Sequence, residues 1–178
     1  MAAAFVGEVA LLLVFGTLLV CGAAHLAHPR RFQGALVAAD IGSPVTRRAI
    51  SFLVTAAELA VGGAGLSAVA LGRMAGLHAA ALAAGLLYGA FAGYAGLLVY
   101  RHPGAPCGCS GNLEPATVGT VARATALSLV ATSMVAAPGR VGTGSPRHLA
   151  LALLCAIGLG LALWQAPAAS ATSLMAGR

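Results

Sequence analysis

The sequence predicts an all-α membrane protein, a four-helix transmembrane bundle with a fifth helix at its C-terminal end. The composition and the arrangement of apolar residues support this fold class. Apolar residues make up 60% of the 178 residues, charged residues make up 8%, and the mean hydropathy is +0.93. A soluble domain carries roughly 25% charged residues, so this chain has too little polar surface to cover a globule in water. The apolar residues also fall into long runs, and about 20 in succession cross a bilayer.

Five apolar runs are separated by short segments rich in Arg, Pro and Gly. We expect helices over residues 5–27, 49–71, 74–100, 116–137 and 148–164. The first run differs from a signal peptide, because it contains Glu8 and no basic residue precedes Arg30. Residues 1–140 form the predicted bundle. Residues 141–178 add an apolar segment and a tail, which we expect to fray after Pro167.

Short connections indicate which helices are neighbours. Residues 32–39 place apolar side chains at helical spacing, which predicts a short interfacial helix before the break at Gly42-Ser43-Pro44. The turn at Gly72-Arg73 is so short that the second and third spans should be antiparallel neighbours. Pro115 suits the first position of the fourth helix, where its missing N–H costs nothing.

Glycines recur every fourth residue in the third span, at Gly85, Gly89 and Gly93. Small residues at this spacing share one helix face and let two membrane helices approach closely. We therefore expect tight packing on this face, either within one chain or between two copies.

The positive charge indicates membrane orientation and not nucleic-acid binding. The net charge is +6 and all ten basic residues are Arg. Most of them lie in the short segments between apolar runs. With five spans, the loop after the third span shares a side with most arginines, and the positive-inside rule places that side in the cytoplasm. Disulfide chemistry favours the opposite side, because disulfides persist outside the cytosol.

The loop over residues 101–115 carries the strongest chemical signal. Cys107 and Cys109 flank a glycine, whose conformational freedom permits the small ring that a disulfide between them would close. Strained disulfides exchange readily. Arg101 and the start of the next helix would raise the thiolate fraction of either thiol. A metal site with His102 and a pair of inert loop cysteines are the alternatives.

Ionisable side chains inside apolar spans are expensive in a bilayer, so each is a functional hypothesis. Glu58 lies near the middle of the second span and Arg123 lies about two turns into the fourth, so they could pair across the bundle. His25 and His28 end the first span near the interface of the cysteine loop. They could donate protons or contact a quinone. Glu8 should reach an interface or a polar cavity.

Other residues carry weaker signals. Cys21 and Cys155 lie in the first and fifth spans, where buried cysteines usually act as small hydrophobes, with an electron relay as the alternative. We predict no resident metal. The sequence contains no glycine-rich phosphate loop and no Ser/His/Asp constellation, which disfavours a hydrolase or a nucleotide-dependent enzyme.

Three segments carry a family resemblance. They are His25-Leu-Ala-His-Pro-Arg-Arg-Phe, the Ala-Ala-Glu-Leu-Ala-Val-Gly-Gly stretch around Glu58, and Pro-Cys-Gly-Cys-Ser-Gly followed by Val-Ala-Arg123. Together they resemble the methylamine utilisation protein MauE family, which is allied to the DoxX-like membrane proteins. The resemblance covers residues 5–137, and the cysteine loop ahead of an arginine is its most specific part.

The resemblance implies a four-helix bundle in the cell membrane. Within it, Cys107 and Cys109 match the cysteine pair of the family, Glu58 its second-helix acid and Arg123 its fourth-helix arginine. It implies a role in maturing a disulfide-rich amine dehydrogenase subunit, or another exported client, with a thioredoxin-like partner. Whether the chain is itself an enzyme stays open.

Two further classes of function stay open. The first is a quinone-linked oxidoreductase subunit, in which His25, Glu58 and Arg123 would line a pocket and quinone would be the cofactor. The second is a non-enzymatic membrane scaffold or transporter component. Lipid is a partner in every case.

Overall fold

The computed structural model describes residues 2–108, 115–136 and 146–175. Across these residues the chain forms six helices and no β-sheet. They are α1 (Ala2–Ala27), α2 (Pro29–Ala38), α3 (Pro44–Ala70), α4 (Met74–Arg101), α5 (Val118–Ala136) and α6 (Pro146–Met175). The predicted all-α class is therefore confirmed.

Four of these helices, α1, α3, α4 and α5, are long and apolar enough to cross a bilayer. The chain is thus a multi-pass membrane protein whose outer faces contact lipid. The helix α6 carries a shorter apolar stretch, His148–Ala162. It continues through Met175, past the predicted end at residue 164 and past Pro167. The Ala-rich composition of this tail explains the extension, because Ala has the highest helix propensity.

The connections follow the sequence signals, with one exception. The predicted interfacial helix is present as α2, and Ser43 caps α3 by accepting a hydrogen bond from the Thr46 N–H at 3.2 Å. Pro115 does not start α5. It forms an isolated antiparallel bridge with Pro106, and α5 begins three residues later at Val118. That prediction was wrong, because this segment closes the base of the preceding loop.

Thr117 provides the start signal for α5 instead. Its Oγ1 accepts a hydrogen bond from the Thr120 N–H at 3.2 Å, and the Thr120 Oγ1 accepts one from the Thr117 N–H at 3.3 Å. These reciprocal bonds satisfy two N–H groups that a helix start leaves unpaired.

The bundle is held by two closely packed helix pairs, α1 with α3 and α4 with α5, and α6 packs on α1. The main core cluster joins residues of α1, α3, α4 and α5 and includes the fully buried Phe15. Tyr88 ties α4 to α1, because its hydroxyl donates to the Val14 carbonyl oxygen at 2.8 Å.

The predicted glycine face of α4 is confirmed at one end only. A Cβ on Gly85 would lie 2.6 Å from the Thr132 Cγ2, and the Ser128 hydroxyl donates to the Gly85 carbonyl oxygen at 2.8 Å. Gly89 makes ordinary contact with Ser128, and Gly93 has no atom within 4 Å of its Cβ position. The close approach therefore joins α4 to α5 of the same chain.

Candidate functional site

A buried acid–imidazole pair joins the membrane spans to the cysteine loop. The His25 Nδ1 lies 2.7 Å from the Glu58 Oε2, and the His25 Nε2 lies 2.9 Å from the Gly108 carbonyl oxygen. Relative exposure is 3% for His25 and 1% for Glu58. We call these three residues, from α1, α3 and the loop after α4, the polar junction.

The register of α3 against α1 creates this junction. Glu58 lies about four turns into α3, whereas His25 lies two residues before the end of α1. The two helices nevertheless meet at this level, since a Cβ on Gly22 would lie 3.1 Å from the Glu58 Cβ. Helix α3 also packs on α2. Glu58, near the middle of α3, therefore lies beside the C-terminal end of α1.

Helix α2 forms one wall of the junction. The Phe32 ring stacks on the His25 ring with centroids 4.4 Å apart and planes 19° apart. Gly108 has a φ of +73°, and a Cβ there would lie 2.7 Å from the Ala35 Cβ. Both the backbone angle and the space therefore require glycine between the two cysteines. From the sequence, Gly108 was expected to permit a disulfide ring. Its close contact with α2 is a second reason why this position needs glycine.

The loop that carries Cys107 is closed at its base. The Ala116 N–H donates to the Ala105 carbonyl oxygen at 2.9 Å, beside the bridge between Pro106 and Pro115. Cys107 is only 6% exposed and packs in an apolar cluster with Ala39, Ala95, Leu98 and Ala116. A thiol in this position is shielded from soluble reagents as long as the loop stays in place.

Several predicted site residues fall elsewhere. Cys109 lies outside the described residues. His28 and Arg101 are exposed, His28 between α1 and α2 and Arg101 as the last residue of α4. Glu8 is 4% exposed, which disagrees with the expected position at an interface and leaves the expected polar cavity as a prediction.

Glu58 and Arg123 line one cavity inside the bundle. The cavity measures about 60 Å³, and Cys21, Tyr88 and Thr120 also border it. That volume holds a few water molecules among these polar groups. A pair between Glu58 and Arg123 was one expectation from the sequence. Both residues line this cavity, while the Glu58 Oε2 bonds to His25.

An apolar groove adjoins this cavity on the side of α6. It measures about 340 Å³ and lies between α1 and α6, sharing Thr17 and Gly160 with the cavity. Cys155, the second cysteine considered as an electron relay, is exposed on α6.

From the sequence, His25 and Glu58 were expected to share a pocket only in the quinone-linked alternative, and their direct hydrogen bond was not predicted. The two residues are 33 positions apart, and nothing in the spacing reveals the register of α1 against α3. The available signal was chemical, because an acid buried in a span needs a partner and His25 ends a neighbouring span near the cysteine loop. Phe32, which positions the imidazole, gave no signal beyond the pattern of its helix.

The described residues contain no cluster of three or more His, Cys, Asp or Glu side chains that could hold a metal ion. Both ring nitrogens of His25 already face Glu58 and Gly108. The arrangement can instead hold a loop in place, keep a thiol shielded and carry a proton between an imidazole and a carboxylate.

Fold and site together define a class, a multi-pass membrane bundle whose buried polar pair holds a cysteine-containing loop. The chain belongs to the methylamine utilisation protein MauE family, since the model of that family matches residues 2–137. The resemblance drawn from the motifs is thereby confirmed. Neither the curated proteins nor the solved structures gave a match.

Proposed function

We propose that this chain is a thiol–disulfide redox or maturation factor of the cell membrane that acts through Cys107 and Cys109. In this proposal it assists disulfide formation in an exported client, such as a subunit of an amine dehydrogenase. A thioredoxin-like protein serves as its redox partner. The methylamine connection and the client come from the family to which the chain belongs.

One observation carries the proposal: a buried acid–imidazole pair is devoted to holding the cysteine loop. Burying ionisable groups inside a membrane span costs free energy, and an inert loop needs no such anchor. The anchor bonds to Gly108, the residue between the two cysteines. The position of Gly108 in the loop thus depends in part on this buried polar pair.

The proposed reaction is a thiol–disulfide exchange. A client thiolate attacks one sulfur of the oxidised Cys107–Cys109 pair, which forms a mixed disulfide and releases the other cysteine as a thiolate. The second client thiolate then displaces the bound sulfur. The client gains a disulfide, and the chain gains two electrons and two protons as a dithiol. A disulfide of the thioredoxin-like partner accepts the two electrons and two protons, which restores the disulfide between Cys107 and Cys109.

The test measures one turnover of the full-length chain in detergent. The oxidised protein is mixed with a reduced dithiol peptide, and the disulfide form of the peptide is quantified by mass spectrometry. We expect about one peptide disulfide per chain, and none with the Cys107→Ser/Cys109→Ser variant, because disulfide exchange needs both sulfurs. Cys155→Ala, which alters an exposed thiol on α6, is the matched control and should react normally. Equal peptide oxidation by the double serine variant would refute the proposal.

A quinone-linked role is the second candidate, because Glu58 and Arg123 line one cavity that adjoins an apolar groove. The fit is poor. Ligand sites usually measure roughly 300–1,000 Å³, and the polar cavity has about 60 Å³. The larger groove is lined almost entirely by apolar side chains. We therefore derive no step through a quinone. Oxidation of the cysteine pair by added quinone in the purified protein would reverse this ranking.

A scaffold or transporter component is the third candidate, and the same cysteine variants address it. A scaffold would keep its biological role without any of its cysteines. The buried anchor on the loop favours the redox proposal over this alternative.

A further inference from the structure

The two nitrogens of the His25 ring face partners of different kinds. The Nε2 faces the carbonyl oxygen of Gly108, which can only accept a hydrogen bond. The Nδ1 faces a carboxyl oxygen of Glu58, which accepts when ionised and donates when protonated. The Nε2 must therefore carry a proton for the loop contact to form.

Counting protons shows how many the junction needs. One proton lies on the Nε2, and one lies between the Nδ1 and the Glu58 Oε2, on either atom. The pair is then neutral overall, as an imidazolium with a carboxylate or as an imidazole with a carboxylic acid. Both contacts are satisfied in either form.

Loss of one proton breaks this balance. The remaining proton can satisfy the contact to Glu58 or the contact to Gly108, but not both. A carboxylate accepts a hydrogen bond more strongly than a neutral carbonyl, so the proton stays on the Nδ1. The Nε2 lone pair then faces the carbonyl oxygen of Gly108, and the two repel.

We propose that His25 and Glu58 form a proton-dependent latch that holds the Cys107–Gly108 segment in place when the pair carries its shared proton and releases that segment when the proton is lost. Release lifts Gly108 off the imidazole. It also exposes Cys107, which is shielded in its apolar cluster as long as the loop is closed. The latch stands on hydrogen-bond geometry and does not depend on the proposed redox role.

The titratable and charged groups around the pair come from several packed elements. Besides the pair itself, these groups are Cys107 of the loop, Cys21 of α1, Tyr88 of α4 and Arg123 of α5. Helix α2 presents the Phe32 ring.

The test measures how fast Cys107 reacts with N-ethylmaleimide as pH changes, using the full-length chain in detergent. A Cys109→Ser background keeps Cys107 out of a disulfide, and mass spectrometry of the loop peptide assigns the label. Two further variants complete the set. Glu58→Gln keeps the latch closed, since its amide can donate to a neutral Nδ1 while the Nε2 still donates to Gly108. His25→Phe/Glu58→Gln keeps the ring stacking but removes the donor to Gly108.

Rates are compared between variants at each pH, because this cancels the ionisation of the thiol itself. We expect the double variant to react roughly twofold to tenfold faster than Glu58→Gln at every pH, the range that a neutral hydrogen bond contributes. The labelling rate of Cys107 in the parent should equal that in Glu58→Gln at low pH and should approach that in the double variant as pH rises.

Two results would overturn the latch. One is a constant ratio between the parent and Glu58→Gln across the pH range. The other is a double variant that reacts no faster than Glu58→Gln. Thermal unfolding in detergent reports whether each variant is folded, and Cys155, exposed on α6, serves as the control for labelling. If the double variant does not fold, the ratio of the Cys107 labelling rates in the parent and in Glu58→Gln across the pH range tests the latch by itself.

The latch and the proposed function fail separately. Loss of peptide oxidation in the earlier assay with a normal labelling transition would reject the redox role and keep the latch. Normal peptide oxidation with no labelling transition would reject the latch and keep the redox role.

Discussion

Two neighbouring regions of the α1–α3 interface are held together in different ways. At the polar junction, His25 and Glu58 meet through hydrogen bonds and reach out to the loop. One to two turns further along α3, at what we call the glycine seam, Gly62 and Gly65 meet Phe15 and Leu19 of α1. A Cβ on Gly65 would lie 2.3 Å from the Phe15 ring. The seam is held by shape, whereas the junction is held by directional bonds that a proton can change.

The glycine seam and the polar junction differ in how they respond to pH. A close apolar contact has a single arrangement, and it responds to pH only through the unfolding of the whole bundle. A shared proton can be gained or lost while the helices stay packed. The seam therefore suits a permanent contact, and the junction suits a contact that has to open.

Breaking the polar junction should have the largest effect on stability. We expect Glu58→Ala or His25→Ala to lower the free energy of unfolding by about 3–5 kcal/mol, because each leaves a buried polar partner uncompensated. Thermal or SDS-induced unfolding in detergent measures this. The control Thr55→Val removes a hydroxyl that bonds only within α3 and should cost less than about 1 kcal/mol.

The double variant sharpens this measurement. Two residues of one interaction should cost less together than the sum of the single variants. Additive losses for His25→Ala and Glu58→Ala would mean that the two side chains contribute independently.

Overpacking the glycine seam should have an intermediate effect. Gly65→Ala forces a methyl group against the rigid Phe15 ring, and we expect a loss of about 1–3 kcal/mol. Gly63→Ala is the matched control on the same helix, since no atom lies within 4 Å of its Cβ position. It should be neutral or stabilising by up to about 1 kcal/mol, because Ala favours helix more than Gly. Equal effects of the two changes would show that α1 and α3 do not meet at the seam.

The α4–α5 contact should give the smallest loss. Gly85→Ala meets the Thr132 methyl group at 2.6 Å, and that side chain can yield somewhat, so we expect a cost of about 1 kcal/mol. Gly93→Ala, eight residues along the same face, should stay within about 0.5 kcal/mol of the parent. Unfolding of the two variants side by side checks this. A larger loss at Gly93 would indicate a contact with a second copy of the chain.

The helices themselves follow from local features of the sequence. Apolar length marked the spans, Gly72 marked the turn between α3 and α4, and Pro29 marked the end of α1. Pro115 misled because its preference for a helix start is local, whereas here it pairs with Pro106 across the loop. The cysteine loop was recognisable by its composition and by its family resemblance.

The sequence by itself determined the membrane class, the family, the helix order and the chemistry available in each span. It also marked Glu58 as a costly residue to bury and His25 as an ionisable residue at the end of the first span. Only the tertiary structure decided that they are partners, that Phe32 stacks on the imidazole, and that Gly108 completes the junction. The physical reason is register. Periodicity reports which face of a helix is apolar, but the axial offset between two helices depends on side-chain contacts such as those of Gly22 and Gly65, which no single segment encodes.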